Sequence, residues 1–141
     1  MSRSTRSKAV TKPCTETSQA RPRVKLWIEL DGERGFCPGV CQILRAVEAT
    51  GSIKDAALSI DRSYRFVWGK IKTVESALGY PLVETRIGGS QGQRSVLTLA
   101  GVLLVEEFES LRSRLFKFVD DELSRSLKVT MERIQKSNPR A

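Results

Sequence analysis

The chain has 141 residues, 40% of them hydrophobic, so it is long enough for one compact domain with an apolar core and extensions. It contains no histidine, which disfavours general acid–base catalysis, and its three cysteines are too few for a closed zinc site within one subunit. No apolar run is long enough to cross a membrane and no apolar signal core follows the N-terminus, so we expect a cytoplasmic protein with reduced thiols.

Residues 1–23 are predicted to form a flexible basic tail. Seven basic side chains precede position 26 against the single Glu16, so this region holds most of the net charge of +8. It has almost no large apolar residue and cannot bury enough surface to become ordered. Residues 137–141 are likewise predicted to be disordered, and residues 24–99 to form the folded domain.

The folded domain is predicted to begin with a strand and a helix. Apolar and polar side chains alternate over residues 24–30, a period that indicates a strand ending at Asp31 and Gly32. Pro38 suits the first turn of a helix that Gly51 would close. The apolar stripe of this helix consists of Val40, Ile43, Leu44 and Val47.

A helix-turn-helix is predicted for residues 52–78. Ser52 can cap a helix over residues 53–59, in which Ala56, Ala57 and Leu58 would let a second helix cross closely. After a turn at residues 60–62, Ser63 caps the second helix, which extends to residue 78. The residues predicted to face the core are Val67, Ile71, Val74 and Leu78. Trp68, four residues after Tyr64, is also predicted to pack in the core.

The opposite face of the second helix is predicted to read DNA in the major groove. An arginine near the helix start can bind guanine, and Phe66 can touch a thymine methyl group. The alternative is that its charges are ordinary solvated side chains. The predicted DNA-binding residues of this recognition helix are Arg62, Ser63, Tyr64, Arg65, Phe66, Gly69, Lys70 and Thr73.

A glycine-rich wing is predicted after Gly79, which can end the second helix. Residues 81–87 and 95–99 read as two strands joined by the loop 88–94. Arg86 and Arg94 flank the glycines, so wing residues 87–95 could contact the DNA backbone or minor groove. The alternative is a plain hairpin whose glycines only satisfy turn geometry. The predicted backbone and wing contacts are Ser52, Lys54, Lys72, Arg86, Gly88, Gly89, Gln91, Gln93, Arg94 and Ser95.

Residues 100–136 are predicted to form one long amphipathic dimerisation helix. Apolar residues recur every three or four positions and no proline follows until Pro139. One small domain offers too little surface to cover such a stripe, so we predict a homodimer. The predicted interface residues are Phe108, Leu111, Leu115, Val119, Leu123 and Leu127.

Cys37 and Cys41 permit two interpretations. A thiol near a helix N-terminus can have a lowered pKa, which would suit a redox or metal-sensing role. The alternative makes Cys41 a small core residue and Cys37 an exposed substitution without a role.

Several short motifs together resemble the N-terminal domain of ModE-type molybdate-responsive regulators and, more distantly, the DNA-binding domain of LysR-type regulators. The resemblance covers residues 25–115. Its motifs are Gly51, Ile53, Ala56-Ala57, Ser63-Tyr64-Arg65, Trp68, Pro81-Leu82-Val83-Glu84-Thr85, Gly88-Gly89, Leu97-Thr98 and Gly101. The ModE family usually has a glycine at the position of Cys37. Its full-length members carry further C-terminal domains that bind molybdate, which this sequence is expected to lack.

The sequence therefore predicts a mainly α protein with a small β wing: a winged helix-turn-helix followed by a long dimerisation helix. The predicted function is that of a homodimeric, sequence-specific transcription regulator that binds double-stranded DNA at an inverted repeat. No enzymatic activity, cofactor, bound metal or membrane partner is predicted. The alternatives are an oxyanion (molybdate) sensor or a redox or metal sensor with DNA as output, and a nonspecific nucleoid-type DNA-binding protein.

Overall fold

The structure of the protein is a computed structural model, which describes residues 22–89 and 92–138. Residues 1–21 of the predicted tail at 1–23, residues 90 and 91, and the last three residues lie outside these ranges. A mainly α fold with a small β wing is present, as the sequence predicted, together with a second antiparallel hairpin that it did not predict. Its elements are β1 (Ile28–Leu30), β2 (Glu33–Phe36), α1 (Pro38–Thr50), α2 (Ile53–Ser59), α3 (Tyr64–Leu78), β3 (Val83–Ile87), β4 (Gln93–Leu97) and α4 (Leu99–Ser137).

The chain divides into two compact units. One is Val24–Lys117, which contains every element up to the first half of α4. The other includes Phe118–Ala141, whose described part is the remaining length of α4 and residue 138. Among the described residues, no helix is both long and apolar enough to span a lipid bilayer.

The predicted first strand is shorter than expected and is paired with a second strand that the sequence did not reveal. Exposure alternates over residues 24–30 as predicted, but only Ile28–Leu30 forms strand. Asp31 and Gly32 have φ angles of 52° and 80°, the two positive values of a tight hairpin turn. The turn leads into β2, and a Cβ at Gly35 would collide with the side chain of Leu30.

α1 and α2 begin and end where the sequence predicted. Gly51 adopts the left-handed conformation (φ 74°) and donates its N–H to the Val47 carbonyl, which ends α1. The Ser52 hydroxyl accepts from the Asp55 amide at 3.0 Å and starts α2. Ala56 and Ala57 are buried, but Leu58 is 70% exposed, so its predicted place in the helix crossing is wrong.

α3 begins at the Ser63 cap, whose hydroxyl accepts from the Phe66 amide at 3.1 Å, and ends at Gly79 with φ 76°. Val67, Ile71 and Val74 are buried in the core as predicted. Trp68 is 45% exposed instead, so its predicted core position is wrong. Its side chain lies on the edge of α3 that faces the β3–β4 hairpin.

The wing is present, with both strands displaced from their predicted bounds. β3 begins at Val83 because the two preceding residues connect it to α3, and β4 already includes Gln93 and Arg94. The hairpin is regular, with Val83 opposite Leu97 and Ile87 opposite Gln93. Leu99, predicted as the end of the second strand, is the first residue of α4.

The start of α4 completes the core of the Val24–Lys117 unit. Phe108 is 1% exposed, and its ring meets that of Phe36 edge to face with centroids 5.0 Å apart. Its predicted place in a dimer interface is therefore wrong, because the side chain is enclosed by its own subunit. Arg45 of α1 also holds Glu109 of α4 through a bidentate pair, with Nη2–Oε2 at 2.6 Å.

Candidate nucleic-acid interface

The exposed face of α3 is cationic and continuous. Every polar or charged member of the predicted recognition set on this helix is exposed, and Gly69 is half-buried. Arg65 and Gly69, four residues apart, occupy the middle of this face, opposite the buried stripe. The only carboxylate between positions 62 and 77 is Glu75, which is buried. The helix itself therefore contributes no exposed carboxylate to this face, although Asp31 and Glu33 of the neighbouring hairpin share a cleft with Thr73 at its border.

Gly69 has no packing role within the described part of the fold. A Cβ at this position would meet nothing within 4 Å. A glycine inside a helix costs about 1 kcal/mol relative to alanine. The residue therefore weakens the helix while leaving its exposed face flat, and the Thr73 hydroxyl donates to its carbonyl at 2.9 Å.

On one flank of the face, the side chains of Arg62 and Lys70 lie beside the aromatic ring of Phe66. The Arg62 guanidinium lies 5.2 Å and the Lys70 ammonium 5.6 Å from the centroid of Phe66. Both cations therefore lie within cation–π distance of one ring. This flank borders a cleft of about 270 Å³ whose wall includes Cys37, which precedes α1, and Gln42 of α1.

The other flank faces the wing across a polar groove of about 340 Å³. Tyr64 and Trp68 form its aromatic side, and the Lys72 ammonium lies 5.9 Å from the Trp68 ring. Among the predicted contacts that line the groove are Ser52, Lys54, Tyr64, Lys72, Gln93 and Ser95. Trp68 is the residue that sequence reasoning assigned to the core. The signal that could have placed it here is its position one residue after the buried Val67.

The wing is tied to the helix-turn-helix by its second strand. The Ser95 amide donates to the Gly51 carbonyl at 2.8 Å, so β4 is held against the turn between α1 and α2. The Arg94 guanidinium lies over this turn, where a Cβ on Gly51 would be 2.9 Å from Nη2. Exposed Gly88 and Gly89 continue from β3 into the loop, whose residue Gln91 lies outside the described residues.

Arg86 and Arg94 are direct cross-strand neighbours with different surroundings. Arg86 pairs with Glu84, with Nη2–Oε1 at 2.9 Å, which partly neutralises it. Arg94 forms no ion pair with any residue of the ranges 22–89 and 92–138. It is therefore the less neutralised of the two predicted wing cations.

The two cysteines differ in environment. Cys41 is 7% exposed, and its thiol donates to Glu109 Oε1 at 3.6 Å. Burial, then the neighbouring Glu109 carboxylate, raises the pKa of Cys41 to about 11. Cys41 is thus a neutral core thiol, which contradicts a reactive low-pKa role for it. Cys37 is half-buried at the start of α1 and provides no side-chain cap.

The remaining predicted interface residues lie along α4. Leu111 and Leu123 are 38% and 41% exposed, and Leu115, Val119 and Leu127 are half-buried. Further apolar side chains of the same helix that sequence reasoning did not include are exposed: Phe116, Phe118, Val129, Met131 and Ile134.

Two solved structures illustrate the similarity in shape. The crystal structure of the CbnR DNA-binding domain in complex with DNA aligns with a TM-score of 0.47 at 20% identity, covering 62% of this chain and 95% of that one. Full-length LysG from Corynebacterium glutamicum, with bound effector Arg, aligns with a TM-score of 0.46 at 27% identity, covering 64% of this chain and 29% of that one.

Curated relatives match in sequence, although no family model does. The molybdenum transport protein ModE of Herbaspirillum seropedicae is 32% identical over 109 residues, 77% of this chain and 38% of that protein. The molybdenum-pterin-binding protein MopB of Rhodobacter capsulatus is 31% identical over 77 residues, 55% of this chain. ModE of Azotobacter vinelandii is 36% identical over 70 residues, 50% of this chain.

This chain spans only 38%, 28% and 26% of the lengths of these three relatives. The similarity to ModE-type proteins that the sequence motifs indicated is thereby confirmed for the matched residues. The chain is a homologue, over that part, of the ModE and Mop proteins, and it has a winged helix-turn-helix fold.

Proposed function

We propose that the protein is a homodimeric, sequence-specific DNA-binding transcription regulator. α3 enters the major groove, and the β3–β4 wing contacts the backbone or minor groove beside it. The observation that carries this proposal is the exposed face of α3, which is cationic, free of exposed carboxylates and flat at Gly69. If this face were only solvated surface, Gly69 would cost helix stability with no compensating contact, since a Cβ there would meet nothing within 4 Å.

The groove between α3 and the wing provides the place for one DNA strand. Lys54, Lys72 and the hydroxyl groups at its rim suit phosphate oxygens, and the Trp68 indole N–H is a further donor. The Ser52 and Ser63 hydroxyls already accept backbone amides as helix caps, so these two residues reach phosphate only through their remaining hydrogen-bonding capacity.

The second part of the proposal is dimerisation through α4. A helix with this many exposed apolar side chains is unfavourable in water unless a partner covers it. A second copy of the chain would cover it with two-fold symmetry and place two readers on related half-sites about 34–36 Å apart.

Arg65→Ala should weaken binding to the preferred DNA site by about 1–3 kcal/mol and affect random DNA less, because a base-edge contact contributes to discrimination. Fluorescence anisotropy on both DNAs measures this. Arg125→Ala, which removes the same charge from α4, is the matched control. Equal losses on both DNAs would mean that Arg65 contacts phosphate.

Gly69→Ala should have opposite effects on stability and binding. The free energy of unfolding should rise by about 1 kcal/mol, since the glycine is replaced by the best helix former in open space. Affinity for the preferred site should fall by about tenfold, because the new methyl group holds the helix away from the base edges. Denaturant unfolding and anisotropy test the two halves, and a variant that gains stability and binds equally well would remove Gly69 from the interface.

Arg94→Ala should reduce the slope of log affinity against log salt by about one, as expected for one lost phosphate contact. Arg86→Ala is the matched comparison on the opposite strand. Its effect should be smaller, because Glu84 already neutralises part of its charge. A slope unchanged by Arg94→Ala would exclude this side chain from the phosphate contacts.

A further inference from the structure

Glu75 is the one buried charged residue in the described part of the chain, with 9% exposure. Its Oε1 accepts from the Leu82 amide at 2.8 Å and the Val83 amide at 3.1 Å, while Oε2 accepts from Lys72 Nζ at 2.7 Å. Burial alone would raise the pKa of Glu75, but the hydrogen bonds from Lys72, Leu82 and Val83 lower it below its ordinary value. The side chain is therefore a charged acceptor that joins α3 to the start of the wing.

The same stretch of backbone, residues 81–83, is fixed from its other side by the start of α4. We call residues 81–83 the junction segment. The Thr98 amide donates to the Leu82 carbonyl at 2.9 Å, and the Thr98 hydroxyl donates to the Pro81 carbonyl at 2.7 Å. Gly101 packs so closely that a Cβ there would collide with the Leu82 carbonyl oxygen. The junction segment is thus clamped between α3 and α4.

The two backbone amides of the junction segment share one acceptor, Oε1 of Glu75. Pro81 has no N–H, so Leu82 and Val83 supply the only two backbone donors of the junction segment, and both bind one carboxylate oxygen. Leu82 is fully buried, so its amide would lose its partner without access to water if that oxygen were removed. Val83 is also the first residue of β3 and lies opposite Leu97, so the bonds to Glu75 hold the wing at its base, while the bond from Ser95 to Gly51 holds its second strand.

We propose that Glu75 is the positioning residue that fixes the wing relative to the recognition helix, so that Arg94 and Arg65 reach the same DNA site. This proposal rests on the proposed function for its DNA consequence, but its structural content is independent of DNA. Glu75 also holds Lys72 on the wing-facing flank of α3, beside Trp68. One buried carboxylate thus orders both walls of the groove.

Residual dipolar couplings of backbone amides in ¹⁵N-labelled protein test the positioning directly. Glu75→Gln keeps an oxygen that can accept both amides, whereas Glu75→Met keeps the length of the side chain and removes the acceptor. In the wild type and in Glu75→Gln, the couplings of α3, β3 and β4 should fit one alignment tensor. In Glu75→Met, those of β3 and β4 should no longer fit the tensor of α3.

The matched control is Glu48→Met, which removes an exposed glutamate paired with Arg45 but no backbone acceptor. It should leave all couplings on one tensor. A Glu75→Met protein whose wing and α3 still fit one tensor would overturn the proposal. If that variant does not fold, amide hydrogen exchange of the wild type provides the test. The amides of Leu82 and Val83 should be protected as strongly as those in the interior of α3. Exchange of these two amides as fast as at the outer ends of β3 and β4 would overturn the proposal.

A double-mutant cycle on DNA measures the consequence for binding. Arg94→Ala should cost affinity in the wild type and in Glu75→Gln, but less than about twofold in Glu75→Met, since a displaced wing has no contact left to lose. The cost of Arg65→Ala should be the same in all three backgrounds. An undiminished cost of Arg94→Ala in Glu75→Met would contradict the proposal. If Arg94→Ala and Arg65→Ala cost nothing even in the wild type, the proposed function fails, while the couplings still decide the role of Glu75.

Discussion

Phe108→Ala is expected to destabilise the protein by about 3–5 kcal/mol, the range for removing a buried phenylalanine from a core. Phe108 is 1% exposed, and its ring packs edge to face on Phe36, so the truncation leaves a cavity beside the contact that joins α4 to the hairpin β1–β2. Natural domains are stable by only about 5–15 kcal/mol, so the variant would lose a large part of its stability. Denaturant unfolding followed by circular dichroism measures the change.

Phe118→Ala on the same helix is the matched control, because it removes the same side chain from a position that is 62% exposed. Its cost to the stability of the monomer should be about 0.5 kcal/mol or less, as for other surface substitutions. The result also distinguishes a core position of Phe108 from a position in an interface between two copies of the chain. If Phe108→Ala keeps its monomer stability but loses self-association, the residue belongs to an interface between copies and the core assignment fails.

The double variant Leu115→Asp/Val119→Asp is expected to abolish the proposed dimer, leave a folded monomer and lower affinity for a two-half-site DNA by about 10²–10⁴-fold. Two carboxylates would have to be buried in the interface, whereas each is solvated in the monomer. The winged core should remain folded, since the α4 residues packed in it or against it lie earlier in the helix: Ala100, Leu104, Val105 and Phe108. Sedimentation velocity and anisotropy measure the two effects.

Ser113→Asp/Ser124→Asp adds the same charge to two exposed polar positions of α4 and is the matched control. It should remain dimeric and lose DNA affinity only through its added negative charge. A double variant at Leu115 and Val119 that sediments as a dimer would contradict dimerisation through this stripe. A wild type that is monomeric at micromolar concentration would contradict it as well.

Helix ends and the helix-turn-helix were predictable because they depend on neighbouring residues. A serine before an apolar-periodic segment and a glycine after it define a helix without knowledge of the rest of the fold, as Ser52, Ser63, Gly51 and Gly79 show. The exposed cationic face of α3 follows from the same periodicity.

The strands and the partners of apolar residues were less predictable because they depend on long-range contacts. β2 has the sequence Glu-Arg-Gly-Phe, whose strand form arises only from pairing with β1. The apolar stripe of α4 is continuous in sequence, so periodicity could not distinguish Phe108, which is covered by its own subunit, from Leu111, which is not. Nothing in the sequence singled out Glu75, since the donors that bind its carboxylate are backbone amides, which leave no mark in the sequence.

Selection of DNA from a random pool by the full chain, followed by sequencing, tests the central claim most directly. We predict enrichment of an inverted repeat whose half-site centres lie about one helical turn apart, because two copies of α3 read successive major grooves. The same selection with Arg65→Ala should lose preference at one or more positions within each half-site while still recovering DNA. A pool that stays random with the wild type, or a motif that is unchanged in Arg65→Ala, would contradict sequence reading by the exposed face of α3.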